Sequence, residues 1–149
     1  LKYNFASERK AASLKTLKKN KIRFNKDYYA SVKLEEPEKS FEIIRKMLSR
    51  NKKITSIICS TEFSALSAIK ACNFLDLQIG KDISIITFDG PLVKDLSSPP
   101  ITAISFPVQE LGKQAIKILL KGDSNKKHYS NFQVKSDIIE RGSVHQVGG

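Results

Sequence analysis

The sequence predicts an α/β fold, a parallel sheet flanked by helices on both faces. Three observations lead there. Segments of strand character alternate with segments of helical periodicity along nearly the whole chain. Ile54–Cys59 and Ile83–Phe88 read as buried strands, the kind a two-sided helical cover requires. The 149 residues, 40% of them hydrophobic, suit one ordinary domain with a real core.

In chain order, Leu1–Phe5 is a candidate clipped strand. Ser7 is a candidate N-cap for a helix to about Asn20, with Ala11, Leu14 and Leu17 on a shared stripe. Asn25 and Asp27 break the chain, and Tyr28–Leu34 is a short strand candidate. Pro37 suits the first turn of the next helix. Glu35, Glu36 and Glu38 lie at that helix start, and Arg45, Lys46 and Arg50 lie near its end, which matches the helix dipole. Phe41, Ile44 and Leu48 form its apolar stripe. Ser60 or Thr61 caps a third helix to about Phe74, with Ala65, Leu66 and Ile69 inward. Leu77–Asp82 is a turn region containing Gly80. Ile83–Phe88 is the clearest strand. After Pro99-Pro100, Thr102–Phe106 is a short strand. Pro107–Lys121 is a helix with Val108, Leu111, Ala115 and Leu119 on one side, stopped by Gly122. Asp123–Lys127 is a polar loop. Phe132–Lys135 and Ile138–Arg141 are closing strand candidates, and VHQVGG is a frayed tail.

Composition narrows the function. The net charge is +11, unevenly spread. Residues 1–53 hold 16 Lys/Arg against 6 Asp/Glu, residues 54–112 hold 3 against 6, and residues 113–149 hold 7 against 3. Lysines on the flanking helices usually make solvated faces, and no Gly-aromatic RNA signature or zinc-finger spacing is present. Direct nucleic-acid binding is therefore not the leading reading. No apolar stretch approaches the roughly 20 residues of a membrane helix. The start, LKYNFASERK, has no apolar region after its basic residue, so it is not a signal peptide. It also lacks an initiator Met, which reads as a trimmed or truncated chain. Cys59 and Cys72 read as two small buried hydrophobes in a reducing cytosol. His128 and His145 lie near the C-terminus in polar surroundings, so no metal site and no cofactor are expected. No Gly-x-Ser-x-Gly elbow, phosphate-cradling glycine loop or paired catalytic set appears, so no enzyme and no catalytic residues are expected.

In parallel sheets ligands bind beyond the carboxyl ends of the strands. Thr61 and Asp89 follow such ends. Asp89 would face a crevice and accept hydrogen bonds from ligand hydroxyls, although Asp89-Gly90 is equally a good turn pair.

Four ordered blocks carry a family resemblance: ITSIICSTEFSALSAIKAC, GKDISIITFDG, PPITAISFPVQELGKQAIKILLKG and DIIERGSV. Together they resemble the lactose-repressor/galactose-repressor (LacI/GalR) family of bacterial transcription regulators, from about Ser7 to Val144. The resemblance implies a periplasmic-binding-protein-like core, mainly its C-terminal subdomain, with a small-molecule effector, a sugar or nucleobase for example, held between two subdomains. Residues 1–100 would be the C-terminal subdomain. Residues 101–125 would be a crossover strand and helix that normally belong to the N-terminal subdomain, and residues 126–149 the return strands and tail. Arg9 stands at the arginine of the family's Arg-x-x-Gly-aromatic pattern, with Ala12 and Ser13 in place of the glycine and aromatic. Asp89 matches the effector-contacting aspartate. Thr61-Glu62 replaces the usual Asn-Asp, keeping a hydroxyl but losing the amide. The implied effector-binding set is Arg9, Thr61 and Asp89, with Phe88 and Phe63 either flanking the cleft or in the core.

By the same resemblance, operator DNA is bound only through an N-terminal helix-turn-helix absent from this sequence. A homodimer is expected through the helix after Ser60, with a cytoplasmic location and no membrane partner. The alternative function is a solute-binding protein of a sugar transporter. The Pro107–Lys121 helix would lack its usual subdomain partner, so it is expected to dock elsewhere, pair with a second copy, or be poorly ordered.

Overall fold

A computed structural model describes residues 5–31, 33, 36–88, 96–120 and 132–145. The helices are α1 (Phe5–Lys19), α2 (Pro37–Arg50), α3 (Glu62–Phe74) and α4 (Val108–Leu120), and the strands are β1 (Ser56–Cys59), β2 (Ser84–Phe88), β3 (Thr102–Ile104) and β4 (Ile138–Ile139). They form one sheet in the order β1-β2-β3-β4. The first three strands run parallel, with Ile57 opposite Ile85 and Thr87 opposite Ala103, and β4 is antiparallel to β3. Thr102–Ile104, from the expected crossover segment, thus joins the same sheet as β1 and β2.

Side chains alternate across a strand, so Ile57, Cys59, Ile85, Thr87 and Ala103 share one face. That face is the buried one. Helix α3 packs on β1 and β2, and α2 packs on α3. Ala65, Ala68, Ala71 and Cys72 have no exposed surface, and such small side chains let α3 lie close to the sheet. Ile83, Ile85 and Ile101 are also fully buried, each stabilising by about 2 kcal/mol. The opposite face carries Ile58, Ile86, Phe88 and Ile104, all exposed or half-buried. Helix α1 meets this face at its carboxyl edge, where the Arg9 guanidinium covers the Phe88 ring.

Several expectations need correction. β1 is an edge strand rather than a buried one: only Cys59 is fully covered, and Ile58 is 53% exposed. Lys26–Tyr28 is a turn of 3₁₀-helix capped by Asn25, and Tyr29, Ala30, Ser31 and Lys33, the other described residues of that stretch, form no strand. The Asn25 side chain accepts from the Asp27 N–H at 3.1 Å, and this local bond competes with extended pairing. Residues 132–137 likewise form no strand. Phe5 already lies in α1, so Ser7 is inside the first turn rather than its cap. Leu1–Asn4, Val32, Leu34, Glu35, Asp89, Gly122–Lys127, His128 and the last four residues lie outside the described residues. Helix α4 is formed, but its stripe faces solvent, with Val108 67% and Leu119 74% exposed, so it does not dock elsewhere on this chain among the described residues.

Helices α1 and α3 end in the same way. The Ile22 N–H donates to Leu17 C=O at 2.9 Å and the Lys21 N–H to Lys18 C=O at 3.1 Å; the Leu77 N–H donates to Cys72 C=O at 3.0 Å and the Asp76 N–H to Asn73 C=O at 3.3 Å. This pairing puts the first residue beyond the helix C-cap in the left-handed region, where glycine is usual. Here those residues are Lys21 at φ 58° and Asp76 at φ 54°. A Cβ in that conformation costs about 1–2 kcal/mol, offset in part by the lower entropy of a non-glycine unfolded chain. Lys21→Gly is expected to raise urea-unfolding stability by roughly 0.5–1 kcal/mol, and Asp76→Gly by less because Asp tolerates this region. A lower unfolding midpoint for Lys21→Gly would contradict the assignment.

Candidate functional site

The carboxyl ends of β1 and β2 lie side by side because Cys59 pairs with Thr87. Beyond β1 the chain turns at Ser60 and enters α3. Thr61 caps that helix with a reciprocal box. Its hydroxyl accepts from the Ser64 N–H at 3.2 Å, and the Ser64 hydroxyl accepts from the Thr61 N–H at 3.1 Å and donates to the Thr61 carbonyl at 2.7 Å. One hydroxyl acceptor site of Thr61 is thereby committed to the helix. Its proton can go to the Ser64 oxygen, 3.2 Å away, or outward.

Arg9 reaches the same place from α1. One guanidinium nitrogen donates to the Ser60 carbonyl. Its central carbon lies 4.3 Å from the Phe88 ring centroid and 5.0 Å from that of Phe5. The cation is thus held between two aromatic rings and a strand-end carbonyl, an arrangement that fixes its plane. At the Ala12-Ser13 departure from the family pattern, the Ser13 hydroxyl donates back to the Arg9 carbonyl at 2.9 Å. Arg9 and Thr61 are therefore brought together around Ser60. Asp89, the third expected residue, directly follows Phe88 in sequence and lies outside the described residues.

Phe88 is half-buried beneath Arg9, whereas Phe63 is 54% exposed and is not core. Phe63 lines a groove of about 150 Å³ between the starts of α2 and α3, with Pro37, Ser40, Leu66 and Lys70. A second concavity of about 440 Å³ is formed by Phe106, Pro107, Val108, Gln109, Glu110 and Lys113 at the start of α4. Neither contains Arg9 or Thr61. The anchoring roles of Phe5 and the Ser60 carbonyl had no sequence signal beyond the aromatic residues themselves. Both cysteines are buried and free. Burial pushes the Cys59 thiol up to about 12 and the Cys72 thiol up to about 11, so both stay protonated at neutral pH and neither is a reactive nucleophile. Among the described residues, no group of three or more His, Cys, Asp or Glu side chains is placed to hold a metal ion.

Comparison with known proteins agrees with this architecture. Residues 3–144 match the periplasmic binding protein-like domain. The chain is 34% identical over 105 residues to the HTH-type transcriptional repressor PurR of Aliivibrio salmonicida, covering 70% of this chain and 32% of the relative. It is 33% identical over 116 residues to the repressor of the same name from Haemophilus influenzae, covering 75% and 34%. The chain thus spans about a third of the length of these curated relatives. Among solved structures, a transcription regulator from Lactobacillus plantarum superposes with a TM-score of 0.79 at 21% identity, covering 92% of this chain and 53% of that one. A sugar-binding LacI-family regulator from Escherichia coli, complexed with phosphate, superposes at 0.75 with 23% identity, covering 92% and 49%. The chain belongs to the family of periplasmic binding protein-like domains, in the form that LacI/GalR-type regulators carry as their effector-binding core.

Proposed function

We propose that this chain is part of the small-molecule sensing core of a LacI/GalR-type transcription regulator. Arg9, Thr61 and Asp89 would contact the effector beyond the carboxyl ends of β1 and β2. The observation that carries this reading is Arg9, whose guanidinium is braced by the Ser60 carbonyl and the Phe88 ring at the two strand ends where the family's effector-contacting arginine is expected. Such a donor suits a polyhydroxylated or carbonyl-bearing molecule, a sugar or nucleobase, and Asp89 would supply the complementary acceptor. Effector binding would favour one orientation of two subdomains and so shift the affinity of a separate operator-reading segment. The exposed face of α3, which carries Phe63, together with the segment after the helix, is the proposed homodimer contact. The reading implies a non-enzymatic, cytoplasmic protein.

The test is a thermal-shift screen of sugars, sugar phosphates and nucleobases on the full-length regulator. A ligand at a hundredfold excess over its Kd stabilises by about 2.7 kcal/mol. Loss of one charged hydrogen-bonding partner is worth about 1.5–3 kcal/mol, so Asp89→Ala and Arg9→Ala are each expected to weaken binding roughly ten- to a hundredfold. A ligand response unchanged in both variants removes this site from effector recognition.

A further inference from the structure

We infer that the outer face of α1 and the segment after it form a cationic surface that binds the backbone of duplex DNA without regard to sequence, in addition to any operator reading elsewhere. Between Glu8 and Asp27 the chain has no acidic residue, yet it has eight cations. Arg9 and Lys10 are engaged by aromatic rings. The other six, Lys15, Lys18, Lys19, Lys21, Arg23 and Lys26, are all exposed, and none has an ion-pair partner among the described residues. Elsewhere, paired and unpaired cations are mixed: Lys46, Arg50, Lys52 and Lys53 have no ion-pair partner among the described residues, but acidic residues are interspersed. At the N-cap of α2, Glu36 pairs with Lys33 and Lys39; within α2, Glu42 pairs with Arg45, and Glu38 pairs with Lys70 of α3.

The fold gathers these charges. Lys15 and Lys19 stand one helical turn apart with Lys18 beside them, while Leu14 and Leu17 face inward, half-buried. The left-handed residue at Lys21 turns the chain, and the 3₁₀ turn at Lys26–Tyr28 is followed by Tyr29, whose ring sits 3.7 Å from the Lys10 ammonium. That contact ties the segment back to α1. The helix dipole accounts for Lys18 and Lys19 near the C-terminus of α1. It does not account for Lys15, Arg23 or Lys26, and Lys21 occupies a conformation that glycine would hold at lower cost.

A polyphosphate fits better than a membrane or an acidic peptide. On α1 Leu14 and Leu17 are half-buried, and the exposed Ile22 and Phe24 lie beyond the helix in a non-helical stretch, so they do not form the continuous apolar face that an interfacial helix inserts between lipids. A run of like charges with no interspersed acid matches a uniformly charged backbone rather than a mixed protein surface. If four or five of the six cations meet phosphates, the salt slope is about −4, and affinity falls by roughly two orders of magnitude between 50 and 200 mM salt.

The measurement is fluorescence anisotropy of the 149-residue chain with a labelled duplex of arbitrary sequence, about 24 base pairs long, or roughly two helical turns. Two variants reverse the patch: Lys15→Glu/Lys18→Glu/Lys19→Glu on the helix, and Lys21→Glu/Arg23→Glu/Lys26→Glu outside it. The second does not depend on helix propensity. The control is Lys113→Glu/Lys117→Glu on α4. Each patch variant should weaken binding at least tenfold and flatten the salt slope, with the control within twofold of the parent. Absence of salt-dependent duplex binding overturns the inference. So does wild-type affinity in both patch variants, an equal loss in the control, or binding to phosphatidylserine vesicles without binding to duplex.

Discussion

Replacing Gly80 by alanine is expected to cost about 3–5 kcal/mol of folding stability. Two effects add. Gly80 has φ 81°, where an L side chain is strained, and a Cβ built there falls 2.3 Å from the carbonyl oxygen of Gly142. That oxygen belongs to the backbone and cannot swing aside as a flexible side chain could. The turn itself is tightly bonded: the Gly80 N–H donates to Ile83 C=O at 2.9 Å, and the Asp82 carboxylate accepts from the Gln78 N–H at 2.8 Å. Relief by moving the turn would therefore disturb fully buried Ile83. Gly142 is crowded from its other side, since a Cβ there would lie 2.8 Å from Pro99 Cβ. The three segments around Gly80, Pro99 and Gly142 form one contact with no spare volume. Gly112 is the internal control. Its Cβ would meet nothing within 4 Å in the exposed helix α4, so Gly112→Ala should stabilise by about 0.5–1 kcal/mol. Urea-unfolding midpoints compare the two directly. A Gly80→Ala midpoint near that of the parent would disprove the crowding.

The next largest loss is expected for Ser143→Ala, about 2–4 kcal/mol. Ser143 is fully buried, and its hydroxyl bridges two strands at once. It accepts from the Thr102 N–H at 2.8 Å and donates to the Ile85 carbonyl at 2.6 Å, so it joins β2 to β3 at their amino ends. Alanine leaves a buried donor and a buried acceptor without that partner, in a space too small to be neutral. Neighbouring bonds extend the strap. The Ile85 N–H donates to Ser143 C=O at 3.0 Å, the Arg141 N–H donates to the Thr102 hydroxyl at 3.0 Å, and the Ser84 hydroxyl meets His145 Nδ1 at 3.0 Å. Thr102→Val removes a second tie of the strap. Because both changes act on the same joint, the double variant should lose less than the two single losses combined. Strict additivity would mean that the two hydroxyls act independently.

These two sites show where the sequence was legible and where it was not. Helix α3 could be read outright: Thr61 is a capping residue, and Ala65 and Ile69 lie on the buried face. Helix α2 was equally plain from Pro37 and its Phe41–Ile44–Leu48 stripe. Such signals are local, set by spacings of three or four residues. Tyr28–Leu34 misled because its β-branched and aromatic content resembles a strand, while the Asn25 side chain locks the preceding turn. β1 misled because an apolar stretch does not reveal whether a neighbour stands on each side of it. The strap and the Arg9 anchor were illegible for a different reason. Ser143 meets Ile85 across 58 residues, and Arg9 meets Ser60 across 51. No periodicity announces a contact at that range. The family resemblance placed Arg9 at the effector end, but it did not show that Phe88 would lie beneath it.

Strand β2 is held unequally along its length. Its first two residues are stitched by Ser143 and His145, while its last, Phe88, pairs with Ile104 of β3 and lies under the Arg9 cation of a helix that, among the described residues, makes few other contacts with the sheet. The span between them is about 13 Å at roughly 3.3 Å per residue. Small rearrangements at the Arg9 end should therefore be absorbed within α1, leaving the paired strands and their stitched foundation in register.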